Sequence, residues 1–137
     1  MSKTVRRLLI GLGILLAIQL VPVNRDNPED RRGPGAPPAV EAVLRRACYD
    51  CHSHETVWPW YSRVAPVSWM VAYDVREGRE HLNFSNFQDL SEPTQAKVRE
   101  AVIKEVDEGE MPLWYYLPAH PQARLTEADK AIIRSWK

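Results

Sequence analysis

Cys48-Tyr49-Asp50-Cys51-His52 is the stretch from which this chain is best read. It has the C-x-x-C-H form by which c-type haem is attached. Each part has a chemical task. Two thiols add across the two vinyl groups of the macrocycle, and a two-residue spacer sets the sulfurs about one helical turn apart to match them. The histidine that follows comes to lie under the ring, where its imidazole can bind iron as the proximal ligand. Cys48 and Cys51 are the only cysteines in the chain.

Other chemistries use the same residue types, and each meets an objection. A thioredoxin-like redox pair needs a βαβ setting, and no alternating β-branched run flanks the motif. A zinc site built from Cys48, Cys51, His52 and His54 would crowd four donors into seven residues, whereas structural zinc sites space their ligand pairs apart. A disulfide across two residues would close a short, strained loop and stabilise little.

Working outward, the N-terminus carries Lys3, Arg6 and Arg7, followed by an uncharged run of 16 residues from Leu8 to Val23. This is short for a spanning helix and long for the apolar part of a cleaved signal. No small residues mark a cleavage point after it. The expectation is an uncleaved signal anchor over residues 1–23. It would be a single membrane helix with its basic end in the cytoplasm and the rest of the chain outside, at the periplasmic face of the cytoplasmic membrane. Residues 24–38, NRDNPEDRRGPGAPP, are rich in proline, glycine and charge without apolar periodicity, and read as a linker. Residues 39–137 are then the folded domain, small for a self-sufficient core unless a large apolar cofactor fills its centre.

The 18 basic and 18 acidic residues cancel, and no basic stripe points to nucleic acid. Inside the domain the periodicity is helical. Val40, Val43, Leu44, Ala47, Cys48 and Cys51 share one face, so a first helix carries both thiols inward and ends at His52. Pro59 breaks the aromatic segment that follows, and a second helix is expected from Pro66 to about Leu82. Residues 81–90 look like a loop. Ser91 starts a third helix that Gly109 ends, and Thr126-Glu127-Ala128-Asp129 opens the last with a capping-box-like pattern. The expectation is an all-α bundle of about four short helices around one covalently bound haem, plus the membrane helix.

The second axial position decides between electron transfer and ligand chemistry. Met70, Met111, His54, His81 and His120 are the candidates. Met111 is the first choice, because it sits in a loop before Pro112 between the third and last helices. His120, in the same loop, is the second. Trp58, Trp60, Tyr61, Arg63 and Tyr115 are candidate pocket residues, with indole, phenol or guanidinium groups able to meet propionates. Arg79 is a further propionate candidate. The second nitrogen of His52 needs an acceptor, for which a carbonyl near Pro66 or Pro59 is expected. Tyr115 or Tyr116 is expected to donate to the Met111 sulfur.

The strings CYDCHSHETVWPWYSRVAPVSW, EGREHLNF and GEMPLWYYLPAHPQARLTEAD together resemble the bacterial haem-binding domain family of membrane-anchored, monohaem c-type cytochromes. The resemblance covers about residues 40–136. It implies one haem c on Cys48 and Cys51, His52 on the iron and Met111 as the second ligand. His54 stands where the family pattern leads one to expect asparagine. The implied role is one-electron exchange with redox partner proteins, and no catalytic triad, phosphate loop or spaced carboxylate pair argues for an enzyme. The alternative is a haem-based sensor or peroxide-handling protein with an open or displaceable sixth position. A third reading is a subunit in which haem is purely structural.

Overall fold

In the computed structural model, which describes residues 1–136, the chain forms six α-helices and three 3-10 turns. Lys137, the last residue of the expected domain, lies outside the described residues. The helices are α1 (Lys3–Ile18), α2 (Pro38–Ala47), α3 (Tyr49–His52), α4 (Val67–His81), α5 (Glu92–Glu108) and α6 (Glu127–Arg134). The 3-10 turns are Trp60–Arg63, Phe84–Asp89 and Pro121–Ala123.

α1 corrects the N-terminal expectation. It begins inside the basic segment, so Lys3, Arg6 and Arg7 are helical, and it stops at Ile18. Its 16 residues rise about 24 Å, less than the roughly 30 Å of a bilayer's hydrocarbon core. Among the described residues no helix is long and apolar enough to cross a membrane. The expected membrane helix is therefore withdrawn, and with it the placement at the cytoplasmic membrane with the domain outside.

Residues 24–36 are extended, as their composition suggests, but they lie along the domain as a strap. Gly33 and Pro34 are buried. Arg25 donates to the Ser62 carbonyl at 3.2 Å, Gln88 donates to the Gly33 carbonyl at 3.0 Å, and Arg32 pairs with Asp89 at 2.6 Å.

The first expected helix is two. Cys48 leaves helical geometry (φ −125°, ψ −31°) and separates α2 from α3. The chain turns at the first thiol, and the Cys48 carbonyl then accepts from the His52 N–H at 2.9 Å to start the next turn. The later helices match expectation closely. Gly109, at φ +78°, ends α5 in the left-handed conformation that favours glycine. Thr126 and Asp129 close a reciprocal capping box on α6.

The core joins Val40, Val43 and Leu44 of α2 with Tyr49, Phe84, Phe87, Val106, Ile133 and Trp136. Phe84 stacks on Tyr49 at 5.4 Å between ring centres and lies 6.2 Å from Trp136. The segment read as a loop thus supplies two fully buried aromatic rings, set by a 3-10 turn that has no 3.6-residue period to betray it. α2 also packs on α6, where Arg46 meets Asp129 at 2.6 Å. α4, which packs on α3, and α5, which packs on α6, stand on either side of a cavity.

Candidate functional site

The cavity has a volume of about 760 Å³, within the range of cofactor pockets. One wall is the motif and α4: Cys48, Cys51, His52, Val71, Val75 and Gly78. The other is α5 and the loop after it: Val98, Val102, Val106, Met111, Leu113 and Tyr116. The structure thus brings Cys48, Cys51, His52 and Met111 to one cavity, together with Tyr61, Tyr115 and His120.

Two backbone carbonyls hold His52. Its Nδ1 lies 2.9 Å from the Gly78 carbonyl oxygen and 3.0 Å from that of Leu82. Carbonyls only accept, so Nδ1 carries the proton and donates to both, and Nε2 keeps the lone pair needed to bind a metal. Burial pushes the His52 pKa down, which keeps the imidazole neutral, as a metal ligand must be. The acceptors come from the C-terminal end of α4 and not from the prolines at 59 or 66: they are the Gly78 carbonyl, which also accepts from the Leu82 N–H at 2.9 Å, and the carbonyl of the cap residue Leu82. Gly78 permits this arrangement. A Cβ there would stand 2.5 Å from the Cys51 carbonyl oxygen, so any other residue would force α4 away from the motif.

The two thiols line the cavity beside His52. Burial is the main force on both, and it pushes each up to about 12. For Cys48 the second thiol adds to the effect, and for Cys51 the Asp74 and Asp50 carboxylates do. Both are therefore neutral thiols near pH 7 in the folded chain.

Asp50, inside the motif, ties the two walls together. Its Oδ1 accepts from the Val57 N–H at 2.8 Å and its Oδ2 from the Tyr116 hydroxyl at 2.7 Å. The Tyr115 hydroxyl donates to Asp74 at 3.3 Å. Both tyrosine hydroxyls thus point at carboxylates, not at the Met111 sulfur as expected. Burial raises the Asp74 pKa. His120 is stacked on Tyr116 with ring centres 3.9 Å apart, and its Nε2 lies 2.5 Å from the Tyr61 hydroxyl. That nitrogen is therefore already engaged.

Other expected pocket residues lie elsewhere. Trp60 and Arg63 are exposed and do not line the cavity; of the 60–63 turn only Tyr61 reaches it, while Ser62 is buried elsewhere. Trp58 is also outside the lining, although its neighbours Val57 and Pro59 belong to it. Its Nε1 is buried without a hydrogen-bond partner among the described residues. Met70 does line the cavity, from α4. His54 instead holds the strap, with Nδ1 2.7 Å from the Asp30 carbonyl oxygen. Arg79 likewise binds the strap and does not line the cavity.

Sequence reasoning missed the Gly78 and Leu82 carbonyls and the role of Asp50. An isolated glycine in a helix is the one local signal that could have indicated a close approach there.

A helical cavity lined by two thiols, a metal-competent imidazole and a thioether side chain suits a flat, apolar macrocycle carrying a central metal. The residues present fit haem on all three counts: edge, metal position and apolar faces. The chain belongs to the haem-binding domain family, whose profile matches residues 13–137. That unit includes the strap as well as the motif. No curated protein and no solved structure matches the chain.

Proposed function

We propose that this haem-binding domain is a monohaem c-type cytochrome that carries single electrons. The observation behind this reading is the His52 geometry. A neutral imidazole with its Nδ1 proton fixed by two carbonyls lines the same cavity as both thiols and Met111.

Cys48 and Cys51 would each add sulfur and hydrogen across one vinyl double bond, forming two thioethers with no net oxidation. His52 Nε2 and Met111 Sδ would hold the iron. Haem c, once bound, supplies the one-electron couple of its iron. The valine-rich walls would keep water from the ring, and the Asp50–Tyr116 hydrogen bond holds the Met111 loop against the motif.

Redox partner proteins would dock near the tyrosine side of the cavity. Trp60 and Trp114 are 77% and 80% exposed, and each stands edge-on to a lining tyrosine, Tyr61 at 5.8 Å and Tyr115 at 5.6 Å. Exposed indoles of this kind are frequent anchors of protein contacts.

A pyridine haemochrome spectrum that survives acid-acetone extraction tests covalent attachment. Carbon monoxide tests the axial pair. The reduced wild type is expected to bind it poorly and Met111→Ala readily. Immediate, tight binding by the wild type would instead favour a sensor or peroxide-handling role.

A further inference from the structure

We propose that the strap, residues 24–36, is a working part of the haem site, and that Arg79 is the positioning residue through which it holds the His52 imidazole. This rests on His52 as the iron ligand.

The argument begins with adjacency. Ser53 follows His52, and Arg79 follows Gly78. His52 Nδ1 bonds the Gly78 carbonyl at 2.9 Å, and one residue further along both backbones Arg79 Nε donates to the Ser53 carbonyl at 2.7 Å. Two parallel bonds thus join α4 to the end of the motif. The first sets the imidazole, and the second sets the backbone from which that imidazole hangs.

The rest of the guanidinium faces the strap. Nη1 donates to the Asp26 carbonyl at 2.8 Å, and Nη2 donates to Asn27 Oδ1 and to Thr56 Oγ1, both at 2.9 Å. Thr56 in turn donates to the Asp50 carbonyl at 2.8 Å, and the Asn27 amide donates to the Thr56 carbonyl at 2.8 Å. Strap, Arg79, Thr56 and motif backbone form one connected network. All the Arg79 acceptors are uncharged oxygens, so the group works as a planar fork that fixes directions and not as half of an ion pair. A lysine could not hold four such acceptors in these directions.

A second fastening gives the contrast. Arg32 holds the strap to Asp89 at 2.6 Å and touches nothing in the motif. If the strap only stabilises the fold, loosening either fastening should have the same consequences. If it acts on the haem site, only the Arg79 fastening should be felt at His52. The match of the family profile to residues 13–137 is consistent with the strap belonging to the functional unit.

The experiment uses the full-length holoprotein and three variants: Arg79→Gln, Asn27→Ala and Arg32→Gln. The readout is hydrogen exchange of the His52 Nδ1 proton, which the ferric iron shifts out of the crowded region of the NMR spectrum. Arg79→Gln should speed this exchange about tenfold by lowering the local opening free energy. Asn27→Ala, which cuts only the strap side of the network, should speed it less. Arg32→Gln should leave it unchanged while lowering the melting temperature. If Arg79→Gln does not fold, Asn27→Ala against Arg32→Gln decides alone. Exchange rates that are unchanged, or that rise equally in all variants, overturn the proposal while leaving the site reading intact. A wild-type chain with no covalent haem overturns both.

Discussion

The two walls of the cavity are built in opposite ways. On the His52 side the direct hydrogen-bond partners of the imidazole are backbone. The carbonyls of Gly78 and of the α4 cap residue Leu82 fix the ring, Gly78 lies against the Cys51 carbonyl, and the Phe84 side chain sits edge-on to the ring at 6.3 Å. On the Met111 side the constraints are mainly side chains. The Met111 N–H donates to the Glu105 carbonyl at 3.2 Å, and the loop beyond it is held by tyrosine hydroxyls on Asp50 and Asp74. Backbone carbonyls at a helix end have few alternative positions, whereas a hydroxyl–carboxylate pair can break and re-form with little else moving. The first wall is therefore the fixed reference of the site, and the second is the one that can be tuned.

The largest expected effect comes from removing the covalent edge of the fixed wall. Cys48→Ala and Cys51→Ala should each leave one thioether, and the double variant none. Haem stain on a denaturing gel should follow that order and vanish for the double variant. Retention of stain there would mean that attachment does not use these thiols, and the comparison of the walls would lose its basis.

A smaller but still large effect is expected at Gly78. The Cβ of Gly78→Ala would meet the Cys51 carbonyl oxygen at 2.5 Å, against backbone that cannot rotate away. Relief requires α4 to move off α3, and over-packing of this kind costs about 1–3 kcal/mol. Chemical denaturation should show that loss, with an unchanged slope against denaturant if the denatured state is unaffected. The same shift lengthens the His52–Gly78 hydrogen bond, so stability and the haem spectrum should change together. A stable variant with a native spectrum would show that the fixed wall is softer than its geometry implies.

The fixed wall was only partly legible in the sequence, and the reason is physical. Cys48, Cys51 and His52 stand out by their short-range spacing, and the fold places all three on one cavity. The ends of α5 and α6 were legible because Gly109 and the Thr126–Asp129 box act within one turn. The acceptors for His52 were not legible, because Gly78 and Leu82 become partners only when α4 crosses α3. The strap was read as a linker for a related reason. Proline, glycine and charge without periodicity describe a docked extended segment as well as a free one, and three of its fastenings, to Arg79, Gln88 and Asp89, lie more than 50 residues away in sequence. The uncharged run from Leu8 to Val23 gave hydropathy but not helix boundaries. The helix that forms starts among the cations and stops at Ile18.

The smallest expected effect probes the tunable wall. Tyr116 is the residue that joins the Met111 loop to the motif, through its hydroxyl on Asp50 Oδ2 at 2.7 Å. Tyr116→Phe keeps the ring, and with it the stack on His120 at 3.9 Å, so packing should survive. What is lost is one hydrogen bond to a charged acceptor that keeps its other oxygen on the Val57 N–H. The cost should be about 1.5 kcal/mol, at the low end for a bond to a charged group, because the freed carboxylate oxygen can turn to water at the cavity edge. In the proposed cytochrome that energy tethers the loop and not the iron itself. The ferric variant should therefore keep its haem and its resting spectrum but exchange the Met111 sulfur for added imidazole several-fold faster. Imidazole binding followed by absorbance measures that exchange directly. Gly78→Ala should alter the resting spectrum first, and Tyr116→Phe only the rate of ligand exchange. If Tyr116→Phe instead disturbed the resting spectrum as much as Gly78→Ala does, the Met111 wall would be as fixed as the other, and the electron carrier would have no adjustable side.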